Sequence, residues 1–279
     1  MSRVFQTCVV ALLLWLPSGV SAQTVSLPRN AHPWGRFKPG VWSQVRRVTE
    51  EFDDSGKLKA VSTTETRTTL IETTDTQCKL NTEVAVEMAG KLFTPQPKTV
   101  VLGYNGETNG QTASVTKKGN GDVEVGERKV PCVVLEATID AGDRKLMGTI
   151  YYANTLAPYV LRRDTRAATL KGEPLPGQTT VDVVAAEVPF QVLNEAKSCA
   201  FVRTVNREAR SQSCTLEAFC IEVPGGVVWH TSRETDERGR LVRRSTLELI
   251  DYGTAEDRRP TTRAGIFFHR TRPRRIMVP

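Results

Sequence analysis

From Trp42 to Asp251 the chain is interrupted every ~10–15 residues by Gly, Pro, Asn or Asp, and the runs between are rich in Val, Thr and other strand-forming residues. Runs this short leave little room for helix, so the punctuation confines the chain to strands and turns. "VWSQVRRVTEEF" and "LKAVSTTETRTTLIETT" are joined by "DDSGK", with Asp first and Gly at the left-handed place of a short hairpin loop. In "GDVEVGE", Val123 and Val125 alternate with Asp122 and Glu124, which leaves one face wet and marks an antiparallel sheet. The best helical spacing, in "VLNEAKSCAFVRTV", ends in β-branched and aromatic residues. The expected fold is mainly β and antiparallel with little helix. It is expected as two related half-barrel or sandwich-like units, 41–172 and 173–256, split near "TLKGEPLPGQTT".

A repeated phrase supports the two units. "GTIYYAN" followed by "VLRRDT" lines up with "GVVWHTS" followed by "LVRRST", which sets Tyr151 against Trp229 and Arg162 and Arg163 against Arg243 and Arg244. Adjacent Arg residues on a strand point to opposite faces, so one of each pair at most enters a concave interior.

The first 22 residues carry Arg3, an apolar run from Cys8 to Leu16, and small residues at Ser21 and Ala22, the pattern of a secretory signal peptide. Residues 23–40, with three Pro and two Gly in "QTVSLPRNAHPWGRFKPG", read as an irregular lead-in. The formal net charge is +7, but 257–279 hold seven Arg against one Asp. Once Arg3 is removed, the body up to Glu256 is neutral. All the basicity therefore sits in a tail rather than on a folded face, and nucleic acid is not expected as a partner. An Arg-rich tail suits an anionic envelope polymer.

Five Cys remain after the signal: Cys78, Cys132, Cys199, Cys214 and Cys220. Along one strand Cys214 and Cys220 would lie about 20 Å apart, beyond disulfide reach. A hairpin turn near Ala209 instead sets Cys199 opposite Cys220, the expected bridge in an oxidising compartment. No CxxC pair, HExxH helix, GxSxG elbow or phosphate-binding glycine loop occurs, so no metal, cofactor or catalytic residue is assigned. Of His32, His230 and His269, His230 stands on an expected strand and is the one to watch.

"GERKVPCVVLEATIDAGDRKLMGTIYYANTLAPYVLRRDT" is similar to the core of LolA/LolB-like periplasmic proteins, in which long antiparallel strands curl into a half-barrel around an apolar cavity. "HPWGRFKPGVW", "TETRTTL", "APYVLRRDT" and "GGVVWHTSRETDERGRLVRRSTLELIDYG" look like exported planctomycete-type proteins of unknown function. These resemblances imply a periplasmic or extracellular, non-enzymatic binding protein holding a lipid or other apolar ligand in a concave sheet, with Trp42, Tyr151 and Trp229 as expected lining residues. The alternatives are a structural or interaction protein of the envelope without a small-molecule ligand, and a hydrolase with dispersed residues.

Overall fold

A computed structural model describes residues 25–254 and 256; the expected signal peptide and Arg-rich tail lie outside them. After a short 3-10 turn at Arg29–Ala31 come β1 (Trp42–Phe52), β2 (Leu58–Thr73), β3 (Gln77–Met88), β4 (Lys91–Phe93) and β5 (Lys98–Gly103). They are followed by β6 (Thr112–Val125), β7 (Arg128–Asp140), β8 (Lys145–Tyr152), β9 (Val160–Ala168) and β10 (Pro174–Val192). The last are β11 (Glu195–Arg207), β12 (Ser211–Phe219), β13 (Val227–Asp236) and β14 (Leu241–Gly253). The stretch with the best helical spacing is thus the end of β10, a turn and most of β11.

All fourteen strands join one antiparallel sheet, in the order β4-β3-β2-β1-β14-β13-β12-β11-β10-β9-β8-β7-β6, with β5 beside β3. The expected unit boundary at 172/173 falls between β9 and β10, which pair with each other, while β1 pairs with β14. Both segments therefore contribute to a single continuous sheet.

This order forces curvature. Twelve strand spacings separate β4 from β6, which at about 4.8 Å each would make a flat sheet about 58 Å wide. Yet β5, on the β4 edge, connects to β6 on the far edge through residues 104–111 alone, a link that reaches at most about 30 Å. The sheet must curl until its edges approach. Contacts at the seam agree: the Arg163 guanidinium of β9 donates to the Asn105 carbonyl, and the Leu27 N–H donates to Asn105 Oδ1 at 3.0 Å. Val25 N–H donates to the Val115 carbonyl of β6 at 2.9 Å, so the lead-in lies along that edge.

The strands also repeat, though not as the sequence phrase suggests. β7 (Arg128–Asp140) recurs as β11 (Glu195–Arg207), 67 residues later, and β9 starts at Val160 where β13 starts at Val227. The pairings recur too: Leu135–Ile150–Arg163 across β7, β8 and β9 matches Val202–Glu217–His230 across β11, β12 and β13. Even the irregularities match, since a bulge at Tyr151/Tyr152 returns at Ala218/Phe219. The left-handed turn residue Gly126 (φ 60°) returns as Leu193 (φ 53°). The loops after these bulges share their bonding: Ala153 N–H to Tyr159 O at 2.8 Å becomes Cys220 N–H to Gly226 O at 2.7 Å. In this register Tyr151 corresponds to Ala218, Arg162 to Trp229, and Arg163 to His230. The expected match of Tyr151 with Trp229 is corrected for a physical reason. Tyr151 ends β8 beside its turn, whereas Trp229 begins β13, far from the β13–β14 turn.

Inside the curl the lead-in acts as a plug. Trp34 packs in a cluster with Leu70, Cys78, Leu80 and Tyr104, and Leu27 packs with Val115, Leu135, Ala137 and Ile150. Trp34 also lies against Gly225, whose φ is +83° and where an added Cβ would fall 2.9 Å from the indole Cζ2. Gly56 has a similar φ of +79° with open space around it. Alanine at Gly56 is expected to cost about 1 kcal/mol from backbone conformation alone. Alanine at Gly225 is expected to cost about 1–3 kcal/mol more, because the ring must move. Urea denaturation midpoints of the two variants test the difference.

Candidate functional site

Cross-strand partners in a sheet share a face. Arg47, Leu247, His230, Glu217 and Val202 form one row across β1, β14, β13, β12 and β11. The first four of these line an interior cavity of about 420 Å³. Its other walls are largely apolar: Trp34, Val45, Leu80, Val100, Leu102 and Val227, with Ser43, Thr68 and Thr82 between them. Strands β5 and β12 thus meet the same space although they are far apart in strand order, a direct result of the curl. The volume lies within the range of small-molecule sites, and the composition, apolar with few polar groups, is typical of them.

The polar groups are held under unusual conditions. His230 is 7% exposed, and its Nε2 is buried without a hydrogen-bond partner. Burial, and then the nearby Arg47 charge, lowers its pKa to about 4, so the imidazole is neutral at neutral pH. Burial also pushes the Glu217 carboxyl above the usual carboxylate range. Arg47 is the exposed member of the row and marks the rim. A buried polar atom left unpaired costs about 1–3 kcal/mol, so His230 Nε2 is a group waiting for a partner inside the cavity.

The three expected lining residues lie elsewhere. Trp229 pairs across to Ala218 and Glu248, on the face opposite His230, and packs with Phe190 and Phe201. Trp42 is 4% exposed, donates from Nε1 to the Thr254 carbonyl at 3.1 Å, and carries the Arg67 guanidinium 3.8 Å from its ring centre. Tyr151 pairs with Val134 and Arg162 at the margin of another cluster, with the Arg162 guanidinium 5.9 Å from its ring centre. None of the three lines the cavity, and Trp34 is the tryptophan that does.

A larger groove of about 660 Å³ runs past Glu136, Asp164, Arg166, Arg207 and Glu208. Its charged lining has the character of ordinary surface. Among the described residues the buried side-chain atoms without partners are Arg36 Nε and His230 Nε2, and neither residue faces this groove. The cavity is the stronger site. Among the described residues there is no group of His, Cys, Asp or Glu able to hold a metal ion, and no helix long and apolar enough to cross a membrane.

No family model matches the chain, and no curated protein matches it in sequence. Two solved structures are similar in outline. One, described as an exported protein with a YMCC-like fold from Bacteroides fragilis, is 13% identical, with 77% of this chain and 97% of that chain covered and a TM-score of 0.32. The other, described as a lipoprotein from Parabacteroides distasonis, is 12% identical, with 77% and 96% covered and a TM-score of 0.33.

The state of His230 predicts a pH dependence. Its folded pKa of about 4 lies below the ordinary 6.5. Between these values the unfolded chain binds a proton that folded His230 refuses, so stability falls as pH drops through that interval. His32, lowered by burial to about 4, adds to the same loss. In His230→Gln the loss on acidification should shrink by about 2 kcal/mol, as read from denaturation curves at pH 7 and pH 4.5.

Proposed function

We propose that this is an exported, non-enzymatic binding protein that holds a lipid or other amphiphile in the curled sheet. The apolar part lies against Trp34, Leu80, Val100 and Leu102, and a polar group hydrogen-bonds His230 Nε2, with Arg47 at the rim. The observation that carries this reading is the unpartnered, buried imidazole nitrogen inside an otherwise mainly apolar cavity. A purely structural envelope protein has no use for that vacancy, and a packed interior would serve it better. The Arg-rich tail is proposed as a contact for anionic envelope polymers, which would keep the carrier near its ligand's source.

One observation favours a second reading. His230 and Glu217 are cross-strand neighbours, both with burial-shifted pKa values, an arrangement that acid–base chemistry uses. The two readings differ in what happens to the ligand. Binding returns it unchanged, and catalysis returns it altered in a His230-dependent way.

Native mass spectrometry of the chain from Gln23 onward, followed by solvent extraction, should find an amphiphile bound and chemically intact. Leu102→Trp, which fills the cavity from β5, should weaken binding of a fluorescent fatty acid by more than about tenfold, or about 1.4 kcal/mol. Tyr151→Phe, remote from the cavity, should leave it unchanged. Equal binding by the Leu102 variant and the parent protein would overturn the proposed site.

A further inference from the structure

The two copies of the four-strand unit differ at one chemically informative place. In the first, buried Cys132 on β7 has the counterpart Cys199 on β11; both are buried. The position across the rung differs between the copies. Ala153 follows β8 in the first, and Cys220 follows β12 in the second. The ladder pairs Ala200 with Phe219, so the next step outward sets Cys199 beside Cys220. The side chains touch, with a hydrogen bond between the two sulfur groups, and Cys220 is fully buried. Both thiols are free in the structure.

We propose that Cys199 and Cys220 are oxidised to a disulfide that clamps the base of the Ile221–Gly226 loop. That loop supplies Pro224 and Gly225 to the cavity wall and rests on Trp34. In the reaction each thiol loses its proton and the pair loses two electrons. The electrons and protons pass to the disulfide of a thiol–disulfide oxidant, which leaves as a dithiol. Cys132 faces no such partner, because Ala153 fills the matching place; the first copy is therefore an unclamped version of the same loop. Cys214 is exposed on β12, beyond reach of Cys220 along one strand. Burial, followed by the neighbouring Cys220, pushes the Cys199 thiol up to about 12, which makes it a poor thiolate once folded. Pairing therefore belongs to folding, before the strands close over the sulfurs. The proposal does not depend on what occupies the cavity.

The test uses the chain from Gln23 onward, expressed once with export to an oxidising compartment and once in a reducing cytosol. Free thiols are alkylated in denaturant before peptide mapping. The expected result is a linked Cys199–Cys220 peptide in the exported protein only, with Cys78, Cys132 and Cys214 alkylated. Amide exchange in 221–226 should be slower in the exported form by on the order of tenfold. The equivalent loop, 154–159, should exchange equally in both forms and serves as the internal control. Cys199→Ser and Cys220→Ser should each abolish the difference, and Cys132→Ser should retain it. Alkylation of both Cys199 and Cys220 in the exported protein, or a link from either to another cysteine, would overturn the proposal.

Discussion

The short link at residues 104–111, from one edge of the sheet to the other, determines most of what this protein is. A hydrogen-bonded sheet of this many strands can twist freely, but it cannot both stay open and satisfy that link. Curling brings β5 to the same space as β12 and β13, and it gives the lead-in an apolar seat. Leu27 and Trp34 then fill parts of the interior that the sheet's own side chains leave open, and the remaining space is the cavity. Edge exposure is reduced by the same device, since the Val25–Val115 bond covers part of β6.

Within that frame the two faces of the sheet do different work. The face holding Trp42 and Trp229 is closed by side chain against side chain. There Glu65, 1% exposed, accepts from Arg46 Nε at 2.9 Å and Nη2 at 2.7 Å, a buried ion pair with its charges matched. The concave face leaves its polar groups unmatched. His230 and Glu217 have lost water without gaining a partner, and that imbalance separates a site from a core. The duplication shows how the site arose within a uniform scaffold. At the position of His230 the first copy has Arg163, which reaches the Asn105 carbonyl and ties the seam. One rung thus serves closure in one copy and lines the cavity in the other.

Much of this was legible in the residues. Turn chemistry and alternation pointed to antiparallel strands throughout. The polar stretch around Ala209 placed Cys199 opposite Cys220, and the ladder agrees. His230 was singled out by its strand and lies in the cavity. The aromatic residues were misplaced by parity. Trp229 and His230 are neighbours, and the bulge between Ala218 and Phe219 helps set which of them faces inward. Such a bulge leaves no mark in composition or spacing. The repeat was also sensed in the wrong register. Copies 67 residues apart keep few identities, such as Cys132 with Cys199 and Val160 with Val227, while paired arginines in unrelated hairpins look alike. The curl was not legible, because strand order is a long-range property that local patterns do not carry.

The most direct test of the account is a nuclear Overhauser spectrum centred on the Trp34 indole. In the curled sheet that ring lies against Gly225 on the β12–β13 side and in the cluster with Leu70 and Leu80 on the β2–β3 side. On a flat sheet β3 and β13 would stand four spacings apart, about 19 Å, too far for one ring to touch both. Cross-peaks from the Trp34 ring to both the Gly225 methylene and the Leu80 methyls are the predicted result. Cross-peaks to one wall only, in a folded protein, would mean that the sheet does not close around the lead-in and that the cavity does not exist.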